Sequence, residues 1–240
     1  MKPRPIKCFV PCPHADLPTL QRWLEDLAVQ GLHLRAGQSF THHALFDQGE
    51  TSAVRYRLEP TEVQADGIQV VVVDEPQTDL AEELGWEVVC TCHWRASFVI
   101  YRTADPSVPE LHTDPEVQSL ALKTVQNRLL RNIFLSFAAV CLSYLRIRPH
   151  AAALFNGLPL GLWIVSGLAY AVYVLHRLWL YGILWRIRRH LGQLGTMPPP
   201  KDRKVSGKRY RPWKLAEHAI IAVPPIWLLA FLLQQGLPPR

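Results

Sequence analysis

From about residue 129 onward the chain is apolar in three blocks, and a bilayer is the environment that such blocks constrain it to. Crossing roughly 30 Å of hydrocarbon at ~1.5 Å rise per residue takes about 20 apolar residues. The run LPLGLWIVSGLAYAVYVL at 158–175 is uncharged, and LWLYGILW continues it beyond His176 and Arg177. A span over 158–184 is therefore predicted. The first block, from Ile133 to Leu145, reaches spanning length as 129–147 when Arg131 and Arg146 snorkel to the two interfaces. The third, at 216–235, carries Pro224 and Pro225 near its middle. Prolines there kink a membrane helix without forbidding it, provided that neighbours satisfy the freed carbonyls.

Charge sets the expected orientation. Residues 132–240 hold 14 Lys and Arg against Asp202 and Glu217, while residues 1–131 hold 12 against 18 acids, so a net +6 conceals halves of opposite sign. Ten of the cations fall between Arg186 and Lys214, with one acid among them. Short basic loops stay on the cytoplasmic side. The 186–214 segment is therefore expected in the cytoplasm, with the N-terminal region on the same side, the RIRPHAAALFNG turn outside and the C-terminus outside. The chain is expected to be a multi-pass protein of the cell membrane. No apolar segment opens the chain, so no signal peptide is expected ahead of the head. Interfacial anchoring is expected from Arg131, Arg177, Trp179, Trp185, Arg186, Arg188, Arg189 and Trp213, since amphipathic rings and cations rest at headgroup depth. The anionic inner leaflet is the expected partner of the basic loop, and no nucleic acid is expected.

Residues 1–113 suffice for one small soluble domain. Asp16 is the expected N-cap of a helix with Leu17, Leu20, Leu24, Leu27 and Ala28 on one stripe, closed by Gly31. A second, short helix is expected between a Thr78 cap and Gly85. Strand-like runs surround them: IKCFV, LHLRAG, FTHHALF, AVRYRL, IQVVVV after the Asp66-Gly67 turn, WEVVCTCHW and ASFVIYR. The predicted fold class is α+β, an N-terminal antiparallel sheet with two helices on one face, followed by an α-helical membrane region of three spans. Between head and membrane, Asp114 before Pro115 and Glu116 starts a helix strongly, because Pro in the first turn loses no needed bond and acids oppose the helix dipole. Residues 114–128 are expected to connect the head to the first span within one helix.

These residues carry a resemblance. The Trp23-Leu24 helix, Gly31 before an apolar-polar strand, the Tyr56-Arg57 strand end, the Gly85-Trp86-Glu87 opening and the stretch FVIYRTADPSVPELHTDPEVQSLAL resemble the bacterial family labelled domain of unknown function 2812 over about residues 5–125. The resemblance implies a regulatory or accessory role and no known chemistry, with members that commonly continue into membrane helices and genes that often neighbour regulators of the PadR type. The IQVVVV run departs from the family pattern.

Metal and redox chemistry rest on Cys8, Cys12, Cys90, Cys92 and His93. If the first strand neighboured the strand of Cys90 and Cys92, thiols and imidazole would gather into a tetrahedral zinc site. The spacings C-x₃-C and C-x-C match no common zinc module, and small apolar packing suits cysteines in a reducing compartment. No metal or other cofactor is therefore expected. Cys141, inside the first span, is expected to pack. No nucleophile, carboxylate pair or phosphate loop stands out, so the chain is not expected to be an enzyme. The expectation is a regulatory, cytoplasm-facing sensor or adaptor with a protein partner. Its alternatives are an accessory or subunit of a membrane transport assembly, and a zinc- or thiol-based switch.

Overall fold

The computed structural model describes residues 5–35, 43–60, 75–92, 98–111, 114–147 and 160–201. Its elements run β1 (Ile6–Phe9), α1 (Leu17–Ala28), β2 (Leu32–Leu34), β3 (His43–Gln48), β4 (Arg55–Pro60), α2 (Glu75–Glu83), β5 (Glu87–Cys92), β6 (Phe98–Thr103), α3 (Pro115–Ile147) and α4 (Leu160–Leu194). The chain divides into two compact units, one of Met1–Leu129 with Gly182–Tyr210 and one of Leu130–Tyr181 with Arg211–Arg240.

The first unit is α+β and antiparallel, as the sequence predicts, but its described residues form two three-stranded sheets instead of one. β3 is central in the order β1-β3-β2, with Cys8 opposite Ala44 and Leu34 opposite Phe46. β6 is central in the order β4-β6-β5, with Leu58 opposite Ile100 and Glu87 opposite Arg102. Between β3 and β4 the chain passes the end of α1: Gly49 N donates to Gly31 O at 2.9 Å, continuing the β2–β3 register by one pair, and Ser52 N donates to Ala28 O, on the last residue of α1, at 3.4 Å. The sheets meet through α1, which packs on both β2 and β4. Leu34 N on β2 also donates to the Tyr56 hydroxyl on β4 at 3.4 Å.

α1 forms where its apolar stripe predicts. Asp16 is its N-cap and Pro18 sits in the first turn. Leu17, Leu20, Trp23, Leu24 and Ala28 are buried, and Trp23 meets Phe46 edge-on at 5.5 Å. Gly31 then takes φ +78°, and a Cβ there would stand 2.7 Å from the Gly49 carbonyl oxygen, so only glycine fits. α2 begins at Glu75, so Thr78 lies inside the helix and does not cap it. Pro76 in the first turn explains the earlier start, since its missing N–H would be unsatisfied there anyway. The second sheet builds its core from Ala81, Trp86, Val99 and Tyr101. The IQVVVV run lies outside the described residues.

α3 begins as the Asp114-Pro115-Glu116 signal predicts: the Asp114 carboxylate accepts from Glu116 N at 2.8 Å, and the helix continues unbroken for 33 residues. Its buried stripe of Leu122, Val125 and Leu129 belongs to the first unit, as do Ile183, Leu184, Ile187 and Leu191 of α4. Arg188 holds the two helices together, donating Nε to Ser119 O at 3.0 Å and a terminal nitrogen to Gln126 Oε1 at 2.5 Å. In the second unit Ser136 and Tyr170 bring their hydroxyls to 3.3 Å. Among the described residues one helix, over Gly167–Leu194, is long and apolar enough to cross a membrane, where the sequence predicts three spans. The third predicted span, 216–235, lies outside the described residues.

Candidate functional site

The charged residues of β4 form the floor of the site. Along Arg55–Pro60 alternate side chains share a face, so Arg55, Arg57 and Glu59 point one way and Tyr56 and Leu58 the other. The polar face is covered by neighbours, which forces its charges to be matched. Arg57 donates Nε and a terminal nitrogen to the two Glu110 oxygens at 2.5 and 2.6 Å, and its other terminal nitrogen to Glu25 at 3.3 Å and Tyr56 O at 2.7 Å. Arg55 adds a bond to Glu110 at 3.2 Å. Both guanidinium groups stand over the Trp86 ring, at 5.2 and 5.8 Å from its centroid, and Trp86 itself donates to Pro109 O at 2.8 Å. Planar cations on an aromatic face with a bidentate carboxylate make a rigid arrangement.

Electrostatics separates the carboxyl groups of this floor. The Arg57 hydrogen bonds hold Glu110 below the usual carboxylate range, against the opposing effect of its partial burial. Burial alone pulls the Arg57 guanidinium down, yet its bonds to Glu110 and the charges of Glu110 and Glu25 raise it overall. Glu59 is 8% exposed, and burial pushes its carboxyl up to about 8, with Arg57 opposing and Glu110 reinforcing the shift. At neutral pH Glu59 is therefore mostly protonated, able to donate as well as accept a hydrogen bond.

Above this floor lies a cavity of about 510 Å³. Its walls are the Leu17-to-Glu25 face of α1, the end of β4, Glu110 and Leu111, the first turns of α3, and the stretch 195–200 that follows α4. The size suits a small organic molecule, and the lining mixes charged and polar side chains with apolar ones in comparable measure. The lining offers carboxyls at Glu25, Glu59 and Glu110, amides at Gln21 and Gln118, and a hydroxyl at Thr196.

The cysteines are not gathered. Cys8 lies on β1 in the first sheet and Cys90 on β5 in the second, so the condition for a shared zinc site is not met. Among the described residues no three His, Cys, Asp or Glu side chains are placed to hold a metal, and His93 lies outside them. Cys12 is fully buried, burial pushes the Cys90 thiol up to about 12, and it also raises Cys8. Thiols so shifted carry little thiolate. Cys92 ends β5. Cys141 is exposed on α3 where packing is expected.

The expected interfacial residues fall into separate groups. Arg131, Arg186 and Arg189 are exposed, and Arg189 stands over the exposed Trp185 ring at 5.3 Å. Arg177 is buried and lies over Tyr173 at 5.2 Å, while Trp179 is half-buried 5.9 Å from the His176 ring. Arg188 is half-buried, with its guanidinium bonded to α3 within the first unit. Trp213 and the part of the 186–214 loop from 202 on lie outside the described residues.

Sequence reasoning missed the Arg57, Glu59 and Glu110 cluster. The signal was present in RYRLEP, where three charges recur at period two and so share one strand face.

Searches of the curated proteins and of the solved structures found no match. A family described as protein of unknown function (DUF2812) matches residues 16–135, from the Asp16 cap to the middle of α3. That stretch contains the charged floor and every cavity wall except 195–200. With half of its length so matched, the chain belongs to the DUF2812 family.

Proposed function

We propose that this chain is a non-enzymatic sensor or adaptor, anchored in the cell membrane with its α+β head in the cytoplasm, that recognises a small molecule in the cavity. The observation that carries the reading is α3. Its first turns line the cavity through Pro115, Gln118 and Leu122, and the same uninterrupted helix supplies residues 130–147 to the second unit. The lengths support a bilayer around that unit. Its share of α3 is 18 residues and its share of α4, 160–181, is 22, or about 27 and 33 Å at ~1.5 Å per residue, against roughly 30 Å of hydrocarbon. Exposed Leu130, Phe134, Leu135, Phe137, Leu168 and Leu175 suit lipid contact. Ten cations between Arg186 and Lys214 favour a cytoplasmic head. The third span at 216–235 and an external C-terminus complete the proposed topology, and a protein partner receives the signal.

Native mass spectrometry of the full chain, released from its own cell membranes in mild detergent, tests the cavity. A small-molecule adduct is expected on the wild type and absent from Gln118→Trp, which narrows the cavity from α3. A bare wild-type chain, or an adduct unchanged by Gln118→Trp, would overturn the reading.

A second reading, an accessory of a transport assembly, is favoured by His176 and Arg177, which are 2% and 6% exposed within the apolar part of α4. Buried ionisable groups at membrane depth mark polar pathways. Ion flux into proteoliposomes that disappears in Arg177→Leu would favour transport over anchoring.

A further inference from the structure

We propose that residues 195–201 form a strap across the cavity, hinged at Gly195 and fastened by Lys201 to the N-cap of α1, and that this fastening regulates the site. The inference rests on the reading of the cavity as a ligand site.

The hinge is a glycine that ends α4. Gly195 takes φ +66° and its N–H still reaches Leu191 O at 2.8 Å, so the chain leaves the helix sharply at that point. His190 Nδ1 lies 2.9 Å from Thr196 O and steadies the first residue beyond the turn. Pro198, Pro199 and Pro200 follow. Each has its φ fixed and no N–H to give, so the segment is stiff and pre-extended, spanning about 9 Å at ~3.1 Å per residue. All three prolines line the cavity, so the stiff part is the part that covers it.

The fastening is a pair of bonds at Lys201. Its ammonium donates to Asp16 Oδ2 at 2.7 Å and its backbone N–H donates to the Thr19 hydroxyl at 3.0 Å. That hydroxyl donates in turn to Asp16 Oδ1 at 3.0 Å, so both carboxylate oxygens are engaged. The Asp16 side chain is 4% exposed and that of Lys201 42%, which leaves the joint approachable from the cation's side. Asp16 occupies the N-cap of α1, yet its side chain makes no cap bond. The group best placed to satisfy the helix end is given to the strap instead, and that diversion distinguishes a fastening from an incidental surface pair. Asp16 and Thr19 fall inside the family match and the strap falls outside it.

The consequence is linkage. The cavity exists with the strap in place, so a molecule is held under a fastened strap, and by reciprocity whatever unfastens Lys201 weakens that hold. The chain beyond Lys201 carries six more Lys and Arg between 203 and 214, so release of the strap also frees the start of that basic stretch from the head.

The test is a spin-label distance measurement on the full chain in detergent, with Cys8→Ser, Cys92→Ser and Cys141→Ala and labels at Arg22→Cys on α1 and Pro199→Cys on the strap. A narrow distance distribution is expected with Lys201 present, a broad one in Lys201→Met, and the narrow one again in Lys201→Arg. Asp16→Asn, which keeps an acceptor for Thr19 and loses the ion pair, is expected to broaden it as well. A narrow, unshifted distribution in Lys201→Met would overturn the proposal, and that variant changes nothing in the folded head except the joint. Because the measurement uses no ligand, it fails separately from the cavity reading, which falls on the mass-spectrometric result alone.

Discussion

Raising the pH from about 4.5 to about 8 is expected to destabilise the full chain by up to roughly 5 kcal/mol, and Glu59→Gln is expected to abolish most of that loss. The sign follows from proton counting. The Glu59 carboxyl has its pKa raised from 4.5 to about 8 by burial, so between those values the folded chain holds a proton that the unfolded chain has released. Stability therefore falls as pH rises through that window, and the contribution is flat below 4.5 and above 8. At ~1.4 kcal/mol for each pH unit the ceiling is roughly 5 kcal/mol. Glutamine keeps the shape and hydrogen-bonding of the protonated acid without the titration, so the variant is expected to gain stability relative to wild type, most at pH 8. Glu110 acts in the opposite sense at the acid end, because a carboxylate held low by Arg57 loses its contribution as pH falls below the unfolded value. Chemical denaturation of wild type and Glu59→Gln at pH 5, 6.5 and 8 reads the difference. Parallel curves for the two would mean that Glu59 is hydrated and the cavity floor is wrong.

Arg57→Met is expected to cost about 2–4 kcal/mol at neutral pH, the loss of a half-buried cation on which two carboxylates depend. Breaking a fully buried pair from one side costs roughly 3–5 kcal/mol, and exposed pairs are worth ~0–1. Arg57 lies between these limits, with its side chain 25% exposed, Glu25 25% and Glu110 41%. The Trp86 stacking goes with it, while Arg55 still reaches Glu110 and limits the damage. Arg57→Lys is expected to recover only part of the loss, because a single ammonium cannot bond both Glu110 oxygens while reaching Glu25. Urea midpoints of the two variants measure this. A cost below ~1 kcal/mol for Arg57→Met would class the network as an ordinary surface pair.

The parts of the fold legible in the sequence are those fixed by near neighbours. Asp16, the apolar stripe and Gly31 delimit α1, and Asp114-Pro115-Glu116 starts α3, because caps and periodicity act within a few residues. The division into two sheets was not legible, since it depends on β4 pairing with β6, some 40 residues further along the chain, and not with its neighbour β3. The site shows the same contrast. Arg55, Arg57 and Glu59 announce themselves by period two in one strand, whereas Glu110 is 53 residues from its partner Arg57 and sits in a loop. Lys201 reaches Asp16 across 185 residues, and nothing in the spacing of a proline run suggests where it will dock. In the sequence Arg188 is one of a basic cluster next to an apolar helix, a pattern that points to the membrane interface and to no partner in the chain. Only the packing of α4 on α3 supplies it with Ser119 and Gln126 as partners.

The reading depends most on residues 130–147 and 160–181 lying in hydrocarbon, and extraction of cell membranes with alkaline carbonate tests that directly. The full chain is expected to remain with the lipid pellet, because no shift of pH removes a spanning helix. Recovery of the chain in the carbonate supernatant would show its apolar helices to be packed against protein, and would contradict the account.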